Sequence, residues 1–173
     1  MRTNDDHEHF FEEARKVATM ATCNQAHCGS VVVAKNGQII GKGYNAPPQG
    51  DEGQRMCDIE FHSDKKPNSD KTCCVHAEWN AILDALKHHS DKVEGATLYF
   101  MRVNDKDERT GAGVPWCTVC SRLALESGIA EFGLWQDGLQ EGGENNNGPK
   151  MFDTSTYNIE SYAFYEPSLK TVR

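Results

Sequence analysis

Two short stretches constrain this chain more than any other part of it: Cys74-Val75-His76-Ala77-Glu78-Trp79-Asn80-Ala81-Ile82 and Pro115-Trp116-Cys117-Thr118-Val119-Cys120. Each stands at the head of a helix-like run. The first sets a histidine and a carboxylate two residues apart. The second sets Cys117 and Cys120 at i and i+3, which projects both thiols from one face of a helical turn. At a helix N-terminus the unpaired N–H groups and the dipole favour the thiolate. Zn²⁺ takes imidazole and thiolate ligands, and a catalytic site uses three of them and leaves a fourth position for water. His76, Cys117 and Cys120 supply such a set. Glu78 separates a catalytic site from a structural one, because a carboxylate beside the metal can shuttle protons, whereas a closed site has no use for it.

The surrounding pattern alternates helices and strands. Phe10, Ala14, Val17, Ala18 and Ala21 recur at helical spacing, and Asn4 to Asp6 offer caps for that helix. Residues 30–35 and 38–44 read as strands joined at Asn36-Gly37, a dipeptide suited to both φ > 0 positions of a tight hairpin turn. Residues 45–71 read as a long surface connection. Ala77, Ala81, Ile82, Ala85 and Leu86 mark a second helix, followed by a strand at 96–101, a polar insertion at 104–113, a helix at 117–127 and a strand at 129–135. Residues 138–148 read as a flexible loop. A C-terminal tail over 151–173 carries aromatics at 157–165 that can dock back on the body.

At 173 residues the chain is long enough for a single domain with a sizeable core. Its net charge of −8 opposes long-range capture of phosphate backbones, so nucleic acid is not the expected partner, while small metabolites are. The opening residues lack the apolar core of a secretory signal, and no apolar run approaches the roughly 20 residues that span a bilayer. A cytoplasmic protein with no membrane partner is expected. Seven cysteines, five of them in or beside the segments discussed here, favour metal ligation over a disulfide framework.

Taken together, these residues resemble the cytidine and deoxycytidylate deaminase superfamily, whose signature is H-x-E followed by P-C-x-x-C. Gly43-Tyr44-Asn45-Ala46-Pro47-Pro48 is similar to the G-Y-N-x-P-P segment of the deoxycytidylate branch, and His76-Ala77-Glu78-Trp79-Asn80-Ala81-Ile82 to its H-A-E-x-N-A-I. The resemblance covers most of the chain. It implies a three-layer α/β/α sandwich with a mixed five-stranded sheet and a homo-oligomer. It also implies zinc-dependent hydrolytic deamination of the cytosine base of a free nucleotide or nucleoside, deoxycytidylate-like, with release of ammonia. By the same resemblance Glu78 is the proton shuttle, Asn45 holds a sugar hydroxyl, and Ala77 and Pro115 contact the substrate, the Pro115 carbonyl accepting from the base's amino group. Two features depart from the family pattern: Trp116 stands between Pro115 and Cys117, and the insertion at 104–113 lengthens a normally short connection.

Other readings compete at several positions. Cys-x-x-Cys alone suits a redox pair or half of a structural zinc site. The resemblance also implies that Cys57, Cys73, Cys74 and His62 are candidates for a second, structural zinc of the kind some deoxycytidylate deaminases carry near here, although neighbouring cysteines are commonly just buried thiols. His7, His9, His88 and His89 read as solvated side chains, and Trp79 and Trp116 as packing beneath the site rather than stacking on a base. The alternatives for function are a deaminase of another amino-purine, amino-pyrimidine or nucleic-acid base, and a non-catalytic zinc-binding interaction protein.

Overall fold

Helix α1 (Asn4–Ala18) starts at Thr3, whose hydroxyl accepts from the Asp6 N–H while the Asp6 carboxylate accepts from the Thr3 N–H. The cap therefore falls one residue before the stretch read from sequence. In the computed structural model, which describes residues 2–56, 73–138 and 147–163, α1 buries Phe10, Phe11, Ala14, Val17 and Ala18 against one face of a sheet.

Strands β1 (His27–Val33) and β2 (Ile39–Tyr44) form the expected hairpin, but the turn is not the expected one. Gly37 alone takes the left-handed conformation, at φ 86°, and its N–H donates to Ala34 O, while Asn36 Oδ1 accepts from Gln38 N. This is a type I turn closed by a left-handed glycine, and it shifts the register between Val32 and Val33. Helix α2 (Ala77–His89), strand β3 (Thr97–Val103), helix α3 (Thr118–Glu126) and strand β5 (Glu131–Gln136) occur in the order read from sequence.

The main sheet runs β2-β1-β3-β5-β6, where β6 is Gly148–Asp153, with β3 parallel to β5 and every other neighbour antiparallel. Five strands lie on that path. A sixth, the two-residue β4 (Arg109–Thr110), is made by the insertion, which folds as a hairpin extension of β3 around a turn with Asp107 at φ 59°. Arg109 then ties the hairpin to α1, pairing with Glu8 at 2.8 Å and Glu12 at 2.9 Å and lying 4.4 Å over the Trp135 ring.

The outermost strand, β6 (Gly148–Asp153), and the helix after it, α4 (Thr154–Ala163), occupy residues that the sequence assigned to loop and tail. Tyr157 is buried and stacks on Phe132 at 3.9 Å, so the aromatic segment does dock, as part of a helix. Residues 164–165 of that segment lie outside the described residues.

Helix α1 covers one face of the sheet, and α2, α3 and α4 cover the other. Val31, Val33, Tyr99 and Met101 point to α1; Val32, Leu98, Phe100, Phe132 and Leu134 point to the opposite layer. This is the expected three-layer sandwich. No helix among the described residues is long and apolar enough to cross a membrane.

Candidate active site

The position of the site is set by how closely α2 lies on β2. A Cβ at Gly43 would stand 2.2 Å from Ala81 N and 2.5 Å from Ala77 O, and one at Gly41 would stand 2.2 Å from Ala81 O. Only glycine at both positions lets the helix backbone rest on the strand. Asn80 Nδ2 donates to Tyr44 O at 2.8 Å, and Val75 N donates to Ala46 O at 2.8 Å. These contacts hold His76, the N-cap of α2, beside the Asn45-Ala46 segment.

Across the sheet end, Cys117 is the N-cap of α3, its Sγ accepting from Cys120 N. Both helices thus open toward one point. His76 Nδ1 lies 3.0 Å from Cys120 Sγ and 3.4 Å from Cys117 Sγ, and the sulfurs are 2.7 Å apart. Among the described residues this trio is the one group of three or more histidine, cysteine or carboxylate side chains close enough to share a metal ion. The Cys120 hydrogen bond and the His76 ring pull Cys117 down to about 5, while burial pushes Cys120 up. A donor set of two buried thiols and one half-buried imidazole that share a proton in this way is one a divalent cation completes by replacing that proton, so the residues fit zinc.

Glu78 lies in the first turn of α2, 6 % exposed, with burial raising its carboxyl to about 7 against the pull of His76. It shares with His76 a cavity of about 270 Å³ at the C-terminal end of β3. Open α/β sheets place ligands at the carboxyl ends of their strands.

The residues read from sequence are distributed around this cavity as follows. Asn45 and Ala77 line it. Asn45 is 7 % exposed, and its amide already accepts from Cys28 N at 2.8 Å and donates to Ala26 O at 2.7 Å. One lone pair and one N–H of that amide are therefore left for a ligand. Pro115 is buried and does not line the cavity; Trp116, 44 % exposed, does. Trp116 is thus a rim residue and not packing beneath the site. His7 also departs from expectation, since it is half-buried and its Nδ1 lies 2.9 Å from the Tyr99 hydroxyl, far from the trio in the fold. His9 and His88 are exposed as expected, whereas His89 is half-buried.

Of the second-zinc residues, Cys57 and His62 lie outside the described residues. Cys74 is buried against Cys23 and Cys73, which together with burial raise its thiol, and it lines the cavity itself. Sequence reasoning missed Cys23, Cys28, Phe100 and Arg102 as cavity residues. Cys28 and Arg102 pair across β1 and β3, a relation no local spacing reveals. The insertion contributes only Ala112 to the cavity wall; its hairpin is turned toward α1.

Residues 4–134 match the family model of the cytidine and deoxycytidylate deaminase zinc-binding region. A deoxycytidylate deaminase of Mycobacterium phage D29 is 31 % identical over 135 residues, covering 75 % of this chain and 93 % of that protein. Among solved structures, the dCMP deaminase of cyanophage S-TIM5 in complex with dCMP and dUMP matches with a TM-score of 0.53 at 23 % identity, over 75 % of this chain and 79 % of that one. A cytidine deaminase from Burkholderia pseudomallei matches with a TM-score of 0.54 at 15 % identity, over 87 % and 94 %. These structures share the fold. The chain belongs to the cytidine and deoxycytidylate deaminase family of zinc-binding proteins.

Proposed function

We propose that the chain is a hydrolytic deaminase of free cytosine nucleotides, with deoxycytidylate as the reference substrate. The observation that carries this reading is the convergence of a zinc-fitting trio and a buried carboxylate, Glu78, on one small cavity. The phage relative, named a deoxycytidylate deaminase, supports the choice of substrate.

In this reading His76, Cys117 and Cys120 hold zinc, which supplies the Lewis acidity that makes water nucleophilic near neutral pH. Glu78 takes a proton from the attacking water and delivers it to N3 of the base as C4 is attacked. It then passes the second proton to the departing amine, so that cytosine and water become uracil and ammonia. Burial of Glu78 keeps bulk water from competing for those protons. Asn45 is placed to hold the sugar through its remaining lone pair and N–H, and Ala77 to bound the base.

The test is ammonia release by the zinc-loaded protein across a panel of cytosine, adenine and guanine nucleotides, nucleosides and a cytosine oligonucleotide. Release from deoxycytidylate supports the proposal. Faster release from another amino base or from the oligonucleotide transfers the chemistry to that substrate, and none from any member leaves a zinc-binding protein without this activity. Self-association belongs to the same reading: Leu83 and Leu86 lie exposed on α2. A monomeric mass by light scattering across micromolar concentrations would remove it.

A further inference from the structure

We propose that Arg102 is the anion anchor of this cavity, taking the phosphate of a nucleoside monophosphate and so selecting nucleotides over nucleosides. The inference rests on the deaminase reading and adds the residue that sets its substrate class.

Residues alternate along β3, so Leu98, Phe100 and Arg102 share the face turned to α2 and α3. Leu98 lies in the core and Phe100 lines the cavity; Arg102, the last of the three, is exposed and also lines it. Cys28, its cross-strand partner, lines the cavity too, and its thiol lies within electrostatic reach of both Glu78 and Arg102. The cavity thus runs from a buried acid at His76 and Glu78, past Cys28, to an exposed guanidinium. A nucleotide has the matching polarity, with the reacting base at one end and a dianion at the other.

The second observation concerns hydrogen bonds. Arg2 donates to Ala34 O, Arg15 and Arg109 to Glu12, Arg55 to Glu52 and Arg122 to Thr118 O. Among the described residues, Arg102 donates to no protein oxygen. An arginine carries five N–H donors in a planar fork that matches phosphate, so leaving all of them for the cavity is a distinctive placement. Arg102 is also the one lysine or arginine among the described cavity-lining residues. In a chain of net charge −8, capture of an anionic substrate needs such a local cation.

The experiment compares deoxycytidylate with deoxycytidine for the wild type, Arg102→Gln and Arg102→Lys, each zinc-loaded. The wild type is expected to favour the nucleotide. Arg102→Gln should lose about 10- to 100-fold in kcat/KM on the nucleotide, mainly through KM, and little on the nucleoside, with Arg102→Lys recovering part of the loss. Thermal melting should not move, because the side chain is exposed. Equal losses on both substrates, or a wild type without preference, would overturn the proposal. If neither substrate releases ammonia, the deaminase reading fails on its own, and calorimetry with dUMP and deoxyuridine decides the anchor. An affinity excess for dUMP that vanishes in Arg102→Gln upholds it, and no excess overturns it.

Discussion

On the α1 face of the sheet, Phe10, Phe11, Tyr99 and Trp135 fill the space between helix and strands, with ring centroids 5.2 to 5.6 Å apart. On the opposite face, α2 meets β2 across Gly41 and Gly43, with no side chain between the backbones. The α1 face has one close approach of its own, since a Cβ at Gly29 would stand 2.3 Å from Ala18 N, but the rest of that contact is side-chain bulk, whereas α2 rests on β2 at two glycines. The residues with chemistry follow the second kind. His76 and Glu78 begin α2, whereas His7 on α1 is spent on a hydrogen bond to Tyr99. The α2 layer therefore sets the position of the site, and the α1 layer packs the opposite face.

Replacing Glu78 by Gln tests the α2 side most severely. Turnover should fall about 10²- to 10⁴-fold while zinc content is kept, because the amide has the shape of the carboxylate without its proton transfer. A variant with wild-type rates of ammonia release would remove Glu78 from the chemistry. The α1 side is broken by Phe11→Ala, which empties a fully buried ring site and should cost about 3–5 kcal/mol in denaturant unfolding. Turnover per folded molecule should stay near wild type, and a matching loss of turnover would mean that α1 also positions the site.

Gly43→Ala should cost less stability, about 1–3 kcal/mol, yet lower turnover per folded molecule, since the helix that carries His76 and Glu78 must move off the strand. An active, stable alanine variant would erase the distinction between the two faces. The smallest effect is expected at the α1 rim, where hydrogen bonds from Arg15 and Arg109 pull the Glu12 carboxyl down to about 2. Its folded value is depressed, so its contribution is present above the ordinary carboxylate range and is lost as pH falls toward 2. The group is partly exposed and screened, so Glu12→Gln should cost under about 1 kcal/mol at neutral pH. Melting curves of variant and wild type should converge between pH 4.5 and 2; a gap that persists at the acid end would point to packing and not charge.

The zinc trio and Glu78 were legible because their spacing relative to helix starts is a local property, and the structure keeps those starts together. Arg102 was not, since only the pairing of β1 with β3 brings it opposite Cys28 and into the cavity. The hairpin at Asn36-Gly37 was found in the right place with the wrong geometry, because the Asn36 side chain caps Gln38 N instead of allowing a second left-handed residue. Strand β6 escaped notice because Gly148 and Pro149 are poor strand formers; a sheet edge accepts them, and Pro149 sits opposite Trp135 there. Helix α4 escaped for a related reason, since its hold comes from Tyr157 stacking on Phe132 and from the Asn158 and Ser161 contacts with Ser121, none of them local. In the insertion, polarity alone gave no direction; Arg109, paired with two acids on α1, shows which way the hairpin turns.

The bridge between Ala46 and Val75 joins the two ends of the chain's longest connection directly beside Asn45 and His76. This neck therefore holds Asn45 and His76 in fixed register, and residues just inside it are tied to the body as well, since Cys74 lines the cavity and Arg55 donates to Thr22 O.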